Sequence, residues 1–149
     1  MDAHPLLFSG YMFHGMKLRN RFVQTPIQTR AADADGYATR ELLDWHATCA
    51  GEAAPGIVIV QQAYAWPAVR LARGLALWDD SFIEPLAGLV NILHEKGSRV
   101  FLQLGGTGSR LEGNNIAPSP VAGSWDGKIP REMTKEEMRH YRDCYAEAG

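Results

Sequence analysis

The stretch Gly56-Ile57-Val58-Ile59-Val60 decides the fold class of this 149-residue sequence. Its apolar residues are all β-branched and do not alternate with polar ones. That pattern is typical of a strand buried on both faces, as the strands of parallel sheets are. The stretch therefore predicts an α/β protein in which helices connect parallel strands.

The segment that follows predicts one helix and one further strand. Ser81 and Glu84 have the spacing of a capping box, and apolar residues recur at helical intervals until Gly97, where we expect the helix to end. The stretch Arg99-Val100-Phe101-Leu102-Gln103-Leu104 then predicts a strand. The connection between this predicted helix and this predicted strand is therefore very short.

The segment that precedes Gly56 predicts a hairpin, a strand and a helix. A turn at His14-Gly15 lies between two short apolar runs and indicates the hairpin. Phe22-Val23-Gln24 is the candidate first strand, closed by Pro26. Apolar residues at near-helical spacing predict a helix over residues 39–50.

The last third of the chain predicts a loop and a helix. Residues 111–130 contain three prolines and several glycines, which indicates an irregular loop, and loops of that length usually serve a site. Thr134 and Glu137 form a second capping box at the start of a final helix.

The predicted strands begin near positions 22, 57 and 99, a spacing that is typical of repeated βα units. Three parallel strands alone leave open edges, whereas eight such units close into a barrel. Residues 1–149 therefore predict an incomplete (β/α)8 TIM barrel, namely its first three βα units with an N-terminal hairpin, and we expect the remainder of the barrel to be absent from this sequence.

Composition and charge disfavour several classes of protein. The formal net charge is −2 and the basic residues are scattered among acidic ones, so we expect no nucleic-acid partner. The longest apolar run is far too short to span a bilayer, and residues 1–10 lack the features of a secretory signal, so we expect no membrane partner and a cytoplasmic location. Cys49 and Cys144 are far apart in sequence and are interpreted as reduced packing residues.

Several side chains have both a functional and a structural interpretation. The five histidines lack ligand-like spacing, so no metal site is expected. The run from Gly105 to Gly108 imitates a phosphate loop but lacks its lysine, and a plain turn is favoured. Trp66, Trp78 and Trp125 either line a pocket or pack against the rim of the barrel.

Four stretches, in this order and spacing, resemble the old yellow enzyme family, with its relatives among 2,4-dienoyl-CoA and 2-enoate reductases. They are Leu18-Arg19-Asn20-Arg21-Phe22-Val23 with Pro26-Ile27; the strand from Gly56; Trp78-Asp79-Asp80 with Phe101-Leu102-Gln103-Leu104; and Ala117-Pro118-Ser119 followed by Met133-Thr134-Lys135-Glu136-Glu137.

The resemblance implies a barrel that holds FMN at the carboxyl ends of its strands, takes hydride from NAD(P)H and reduces an activated alkene such as an enone or enoate. It places Pro26, Ile27 and Gln28 at the isoalloxazine. It also places Gln62 there, where relatives usually have a small residue, and Gln103 at the flavin's pyrimidine edge. The alternative interpretation of Gln103 is that it is a polar residue at the end of a strand and faces water.

The resemblance implies that the substrate-binding histidine pair or His/Asn pair, the proton-donating tyrosine and the phosphate site lie beyond Gly149, so no residue here is assigned a catalytic role. Three hypotheses remain. The chain is a piece of an FMN enzyme that is completed by missing sequence, a complementary barrel fragment or a homo-oligomer; it is a non-catalytic remnant or interaction module; or it is an independent small α/β binding domain.

Overall fold

A computed structural model describes residues 4–106, 116–123 and 127–149 of the chain. The helices are α1 (Pro5–Phe8), α2 (Arg40–Ala50), α3 (Ile83–Glu95) and α4 (Lys135–Ala148), and the strands are β1 (Tyr11–Phe13), β2 (Met16–Leu18), β3 (Val23–Gln24), β4 (Ile57–Tyr64), β5 (Leu75–Ala76), β6 (Arg99–Leu104), β7 (Ile116–Ala117) and β8 (Arg131–Glu132). Within these ranges, no helix is long and apolar enough to cross a membrane.

The centre of the fold is a parallel sheet with β4 in the middle. β3 pairs with β4 on one side, with Val23 opposite Ile57, and β6 pairs with β4 on the other, with Ile57 opposite Arg99. Helix α2 connects β3 to β4, and α3 connects β4 to β6. The predicted α/β architecture with three parallel strands is therefore present.

The two faces of this sheet have different surroundings. Alternate residues of β4, such as Val58 and Val60, pack in the core with Leu89 and Leu93 of α3. The residues between them belong to the other face, where Ile59 and Phe101 line an apolar cavity of about 430 Å³. We call this second side the inner face. The predicted hairpin, β1 with β2, lies at this cavity and contributes part of its lining, namely Tyr11, Phe13 and Leu18.

Local hydrogen bonds explain where α2 and α4 begin. The Thr39 side chain accepts a hydrogen bond from the Leu42 N–H and caps α2. Thr134 and Glu137 form a complete capping box at α4, as the sequence predicts. The prediction of a capping box at Ser81 and Glu84 is wrong.

A different side chain organises the start of α3. The Asp79 carboxylate accepts the Ser81 N–H at 2.8 Å, which pulls residues 80–82 into a 3₁₀ turn. Helix α3 begins only after this turn, and Phe82 at its start makes no side-chain capping bond. The hydrogen bond from Ser81 N–H also lowers the pKa of the Asp79 carboxyl.

Three further differences from the sequence prediction concern strands. β4 continues past Val60 to Tyr64, so Gln62 lies inside the strand instead of after it. β5, formed by Leu75 and Ala76, pairs with the end of β4 and was not predicted. The region expected to be an irregular loop contains β7, which pairs in parallel with β8.

Candidate functional site

The carboxyl end of β4 contains a β-bulge formed by two glutamines. Val60 lies opposite Leu102 and Ala63 lies opposite Leu104, so Gln61 and Gln62 together oppose the single residue Gln103. A bulge adds one residue to a strand and redirects side chains locally, and bulges are frequent beside functional sites. Here the extra residue brings two amide side chains to the strand end where the sequence predicts a ligand.

Gln61 connects the bulge to the segment that follows β3. Its Oε1 atom accepts hydrogen bonds from the Thr29 N–H at 3.1 Å and from the Thr29 hydroxyl at 2.6 Å. The side chain is fully buried, and its Nε2 atom has no partner in the described part of the chain. Sequence reasoning did not select Gln61, although its position next to Gln62 at a strand end was visible.

Gln62 connects the bulge to the segment that follows β6. A Cβ atom on Gly105 would lie 2.6 Å from the Gln62 Cδ atom, so the glutamine side chain occupies the space that a side chain at position 105 would need. Its Nε2 atom is buried without a hydrogen-bond partner among residues 4–106, 116–123 and 127–149.

The other residues selected from the sequence have different surroundings. Gln28, which precedes Thr29, has both polar side-chain atoms buried and unpartnered within the described ranges. Gln103 is exposed and belongs to the same face of β6 as Phe101. Pro26 is half-buried, whereas Ile27 is 53% exposed and lines a separate groove beside β3 and α2.

The glycines after β6 are arranged as a turn, and the described ones do not form an anion cradle. The Gly105 N–H donates to the Ala63 carbonyl at 3.1 Å, so it is already used within the backbone. The Tyr141 hydroxyl lies where a side chain on Gly106 would begin. Thr107 and Gly108, which complete the run, are outside the described residues.

A cluster of tyrosines lies beside the site. Burial raises the pKa of Tyr64 to about 12. Burial, together with the hydrogen bond to Tyr145, also raises the pKa of Tyr141. These two phenols therefore stay protonated at neutral pH, and neither is suited to act as a general base.

Trp66 and Trp78 pack against aromatic neighbours and also line a pocket. Trp66 packs against Tyr141 with ring centroids 5.5 Å apart, and Trp78 packs against Phe82 at 5.1 Å. Both also line a cavity of about 410 Å³ beside α4. Trp125 lies outside the described residues.

Among the described residues, the cysteines and histidines form no cluster suited to a metal. Both cysteines are free thiols, but Cys49 is exposed, so the interpretation of Cys49 as a packing residue is wrong. Within the ranges that the structure describes, no group of three or more His, Cys, Asp or Glu side chains could hold a metal ion.

Comparison with known proteins assigns the family. Residues 6–149 match the family model described as NADH:flavin oxidoreductase / NADH oxidase. The chain belongs to this family. An NADPH dehydrogenase of Geobacillus thermodenitrificans (strain NG80-2) is 31% identical over 138 residues, which are 91% of this chain and 41% of the relative. The chain thus spans about two fifths of the length of the curated relatives it matches.

Solved structures of the family share the fold. An old yellow enzyme from Pichia sp. AKU4542 superposes with a TM-score of 0.81 at 23% identity, over 96% of this chain and 41% of that one. An old yellow enzyme homologue from Zymomonas mobilis gives a TM-score of 0.79 at 22% identity, over 97% of this chain and 44% of that one. At such low identity the likeness shows the fold.

The residues at the bulge fit the flavin that the family name implies. A flavin ring carries carbonyl oxygens and ring nitrogens, which need hydrogen-bond partners when they are buried. In the described structure, both amide atoms of Gln28 and the Nε2 atoms of Gln61 and Gln62 are buried without partners, and an amide can donate and accept at once. The carboxyl end of parallel strands is also where barrels of this kind bind ligands.

Proposed function

We propose that this chain supplies the first three βα units and the N-terminal hairpin of a (β/α)8 barrel that binds FMN and uses NAD(P)H to reduce activated alkenes such as enones and enoates. The proposal rests on family membership and on one structural observation. Among the described residues, both amide atoms of Gln28 and the Nε2 atoms of Gln61 and Gln62 are buried without partners, in the segment after β3 and at the carboxyl end of β4. Buried amides without partners are costly, and a polar ring ligand would satisfy them.

Each residue has a distinct task in this site. Gln103, exposed on β6, donates to and accepts from the pyrimidine edge of the ring. The backbone of residues 26–28 lies along the ring, and Gln28 provides a neutral donor and acceptor beside it. Gln62 fills the space above Gly105 and so limits how closely the ring approaches the end of β4. When bound, FMN supplies the hydride transfer between the nicotinamide and the alkene.

The remaining strands come from additional polypeptide. The inner face of the sheet has Phe101 and Val23 at 41% and 50% exposure, and barrel closure would cover them. We define the completed barrel as this chain together with the polypeptide that supplies those strands, either as continuous sequence, as a complementary fragment or as another copy of the chain. The DNA that follows the codon for Gly149 distinguishes continuous sequence from a separate partner.

The test is the substitution Gln103→Leu in the completed barrel. Leucine keeps the approximate volume but removes one donor and one acceptor, so FMN affinity should fall about ten- to a hundredfold, equivalent to roughly 1–3 kcal/mol. Affinity is measured by titration of flavin fluorescence, and folding is checked by circular dichroism.

The matched control is Gln24→Leu, which makes the same change in the same sheet. Gln24 lies opposite Val58, a residue of the helix-covered face, so FMN affinity should stay at the wild-type value. If Gln103→Leu folds and binds FMN as tightly as wild type, Gln103 is not at the flavin and the assignment of site residues is wrong.

A further inference from the structure

We propose that Gln61 is a further positioning residue of this site, which fixes the segment after β3 through Thr29 and offers its remaining amide donor to the ligand. The inference rests on the proposed function, because the ligand is the flavin ring. It adds a residue outside the set that the family resemblance placed at the ring, and it follows from the hydrogen bonds at the bulge.

Two donors converge on the side-chain oxygen of Gln61. The backbone N–H and the hydroxyl of Thr29 both donate to the Gln61 Oε1 atom, at 3.1 and 2.6 Å. Thr29 lies in a segment without regular secondary structure, so no backbone ladder holds it there. Gln61 therefore provides the side-chain connection between this segment and the central strand.

The same hydrogen-bond network continues to α2. The Thr29 hydroxyl accepts a hydrogen bond from the Ala31 N–H at 3.2 Å. The Ala31 carbonyl in turn accepts a hydrogen bond from the hydroxyl of Thr39, the residue that caps α2. Residues 29–31 are thus held between the strand end and the helix start, which fixes the position of Gln28 next to them.

The amide nitrogen of Gln61 is a donor that the described structure leaves unused. Gln61 is fully buried, and within the described structure its Nε2 atom donates to no acceptor. A buried donor without a partner costs free energy, which a ligand acceptor would recover. A glutamine fits both tasks because its oxygen holds Thr29 while its nitrogen remains available. A glutamate would perform only the first.

Three variants of the completed barrel separate the two tasks. Gln61→Leu removes acceptor and donor, Gln61→Glu keeps the acceptor and adds a negative charge, and Gln24→Leu is the control with the same change on the helix-covered face. For each variant we measure hydrogen exchange of the Thr29 amide without flavin, the dissociation constant of FMN, and the midpoint potential of the bound FMN.

Each variant has its own expected result. Gln61→Leu speeds exchange of the Thr29 amide and weakens FMN binding about tenfold or more. Gln61→Glu keeps the Thr29 amide protected but shifts the midpoint potential to more negative values, because a carboxylate near the ring disfavours added electrons. Gln24→Leu changes none of the three quantities.

Two results would overturn the inference. If Gln61→Leu leaves Thr29 exchange unchanged, Gln61 does not position the segment. If exchange speeds up but FMN affinity and potential stay at the wild-type values in both Gln61 variants, its role is purely structural. Failure of the proposed function gives a different result, because the wild-type barrel then binds no FMN. In that case the role of Gln61 at a flavin also fails, whereas exchange of the Thr29 amide still shows whether Gln61 holds the segment after β3.

Discussion

The buried side chain of His46 should make the folded protein less stable in mild acid. It lies on α2, is 1% exposed, and its two ring nitrogens have no hydrogen-bond partner in the part of the chain described. Burial lowers the pKa of His46 from its usual 6.5 to about 4. Because the pKa of His46 in the folded state is below its value in the unfolded state, the free energy of unfolding has its full value above about pH 6.5 and decreases as the pH falls toward 4.

The size of the effect follows from this shift. Each pKa unit corresponds to about 1.4 kcal/mol, so a shift from 6.5 to about 4 limits the total loss to about 3.5 kcal/mol. At pH 5 the unfolded histidine is almost fully protonated and the folded one is mostly neutral. The free energy of unfolding should therefore drop by about 2 kcal/mol between pH 7 and pH 5 from this residue alone.

The measurement is urea unfolding at pH 7 and pH 5, followed by tryptophan fluorescence, for wild type and His46→Leu. Trp45, whose ring lies 4.7 Å from that of His46, gives a local probe. The pH-dependent loss should be about 2 kcal/mol smaller in His46→Leu than in wild type, whereas His94→Gln, which replaces an exposed histidine, should match wild type. Equal pH dependence in wild type and His46→Leu would refute the reasoning, as would an imidazole that titrates near pH 6.5 by NMR.

Three further predictions concern packing and assembly. Asn20→Leu should destabilise the protein by about 2–4 kcal/mol in denaturant unfolding, because Asn20 bonds the Phe22 N–H, the Gly56 N–H and the Ala54 carbonyl from a buried position; an unchanged midpoint would contradict this. Gly105→Ala should lower the melting temperature because its Cβ meets the Gln62 side chain, and Gln62→Ala in the same protein should restore it; a single variant as stable as wild type would contradict the contact. The isolated 149-residue chain should self-associate, since its sheet has unpaired edges among the described strands and an apolar inner face; a monomer at all concentrations in analytical ultracentrifugation would count against this.

The elements that the sequence predicts well are those with strong local patterns. The β-branched run from Ile57, the capping box at Thr134 and the turn at His14-Gly15 specify their structures through residues close in sequence. Gly97, which follows α3, adopts a positive φ of 84° and marks the end of that helix, as expected.

The elements that were missed depend on contacts distant in sequence. β5 and β7 each have two residues, and each exists through pairing with another strand. Ser81 and Glu84 have the spacing of a capping box, but the Ser81 N–H donates to the Asp79 carboxylate instead of the Glu84 carboxylate. Among the candidate site residues, Gln61 was missed because its importance comes from Thr29, which lies 32 positions away. The placement of Gln28, Gln62 and Gln103 against a flavin stays a prediction.

The bulge at Gln61 and Gln62 also determines which changes in chain length this region tolerates. Val60 and Ala63 pair with Leu102 and Leu104, and two residues lie between them on β4 where one lies between their partners on β6. Deleting Gln61 or Gln62 would therefore remove the bulge and leave an ordinary ladder, in which Ala63 and Tyr64 keep their faces. Ala63 would still pack against the helices, and Tyr64 would stay in the cluster with Val69 and Met133. Deleting both glutamines would instead move Ala63 and Tyr64 to the opposite faces. Among homologous genes, we therefore expect the number of codons between Gly56 and Trp66 to differ by no more than the one residue of the bulge.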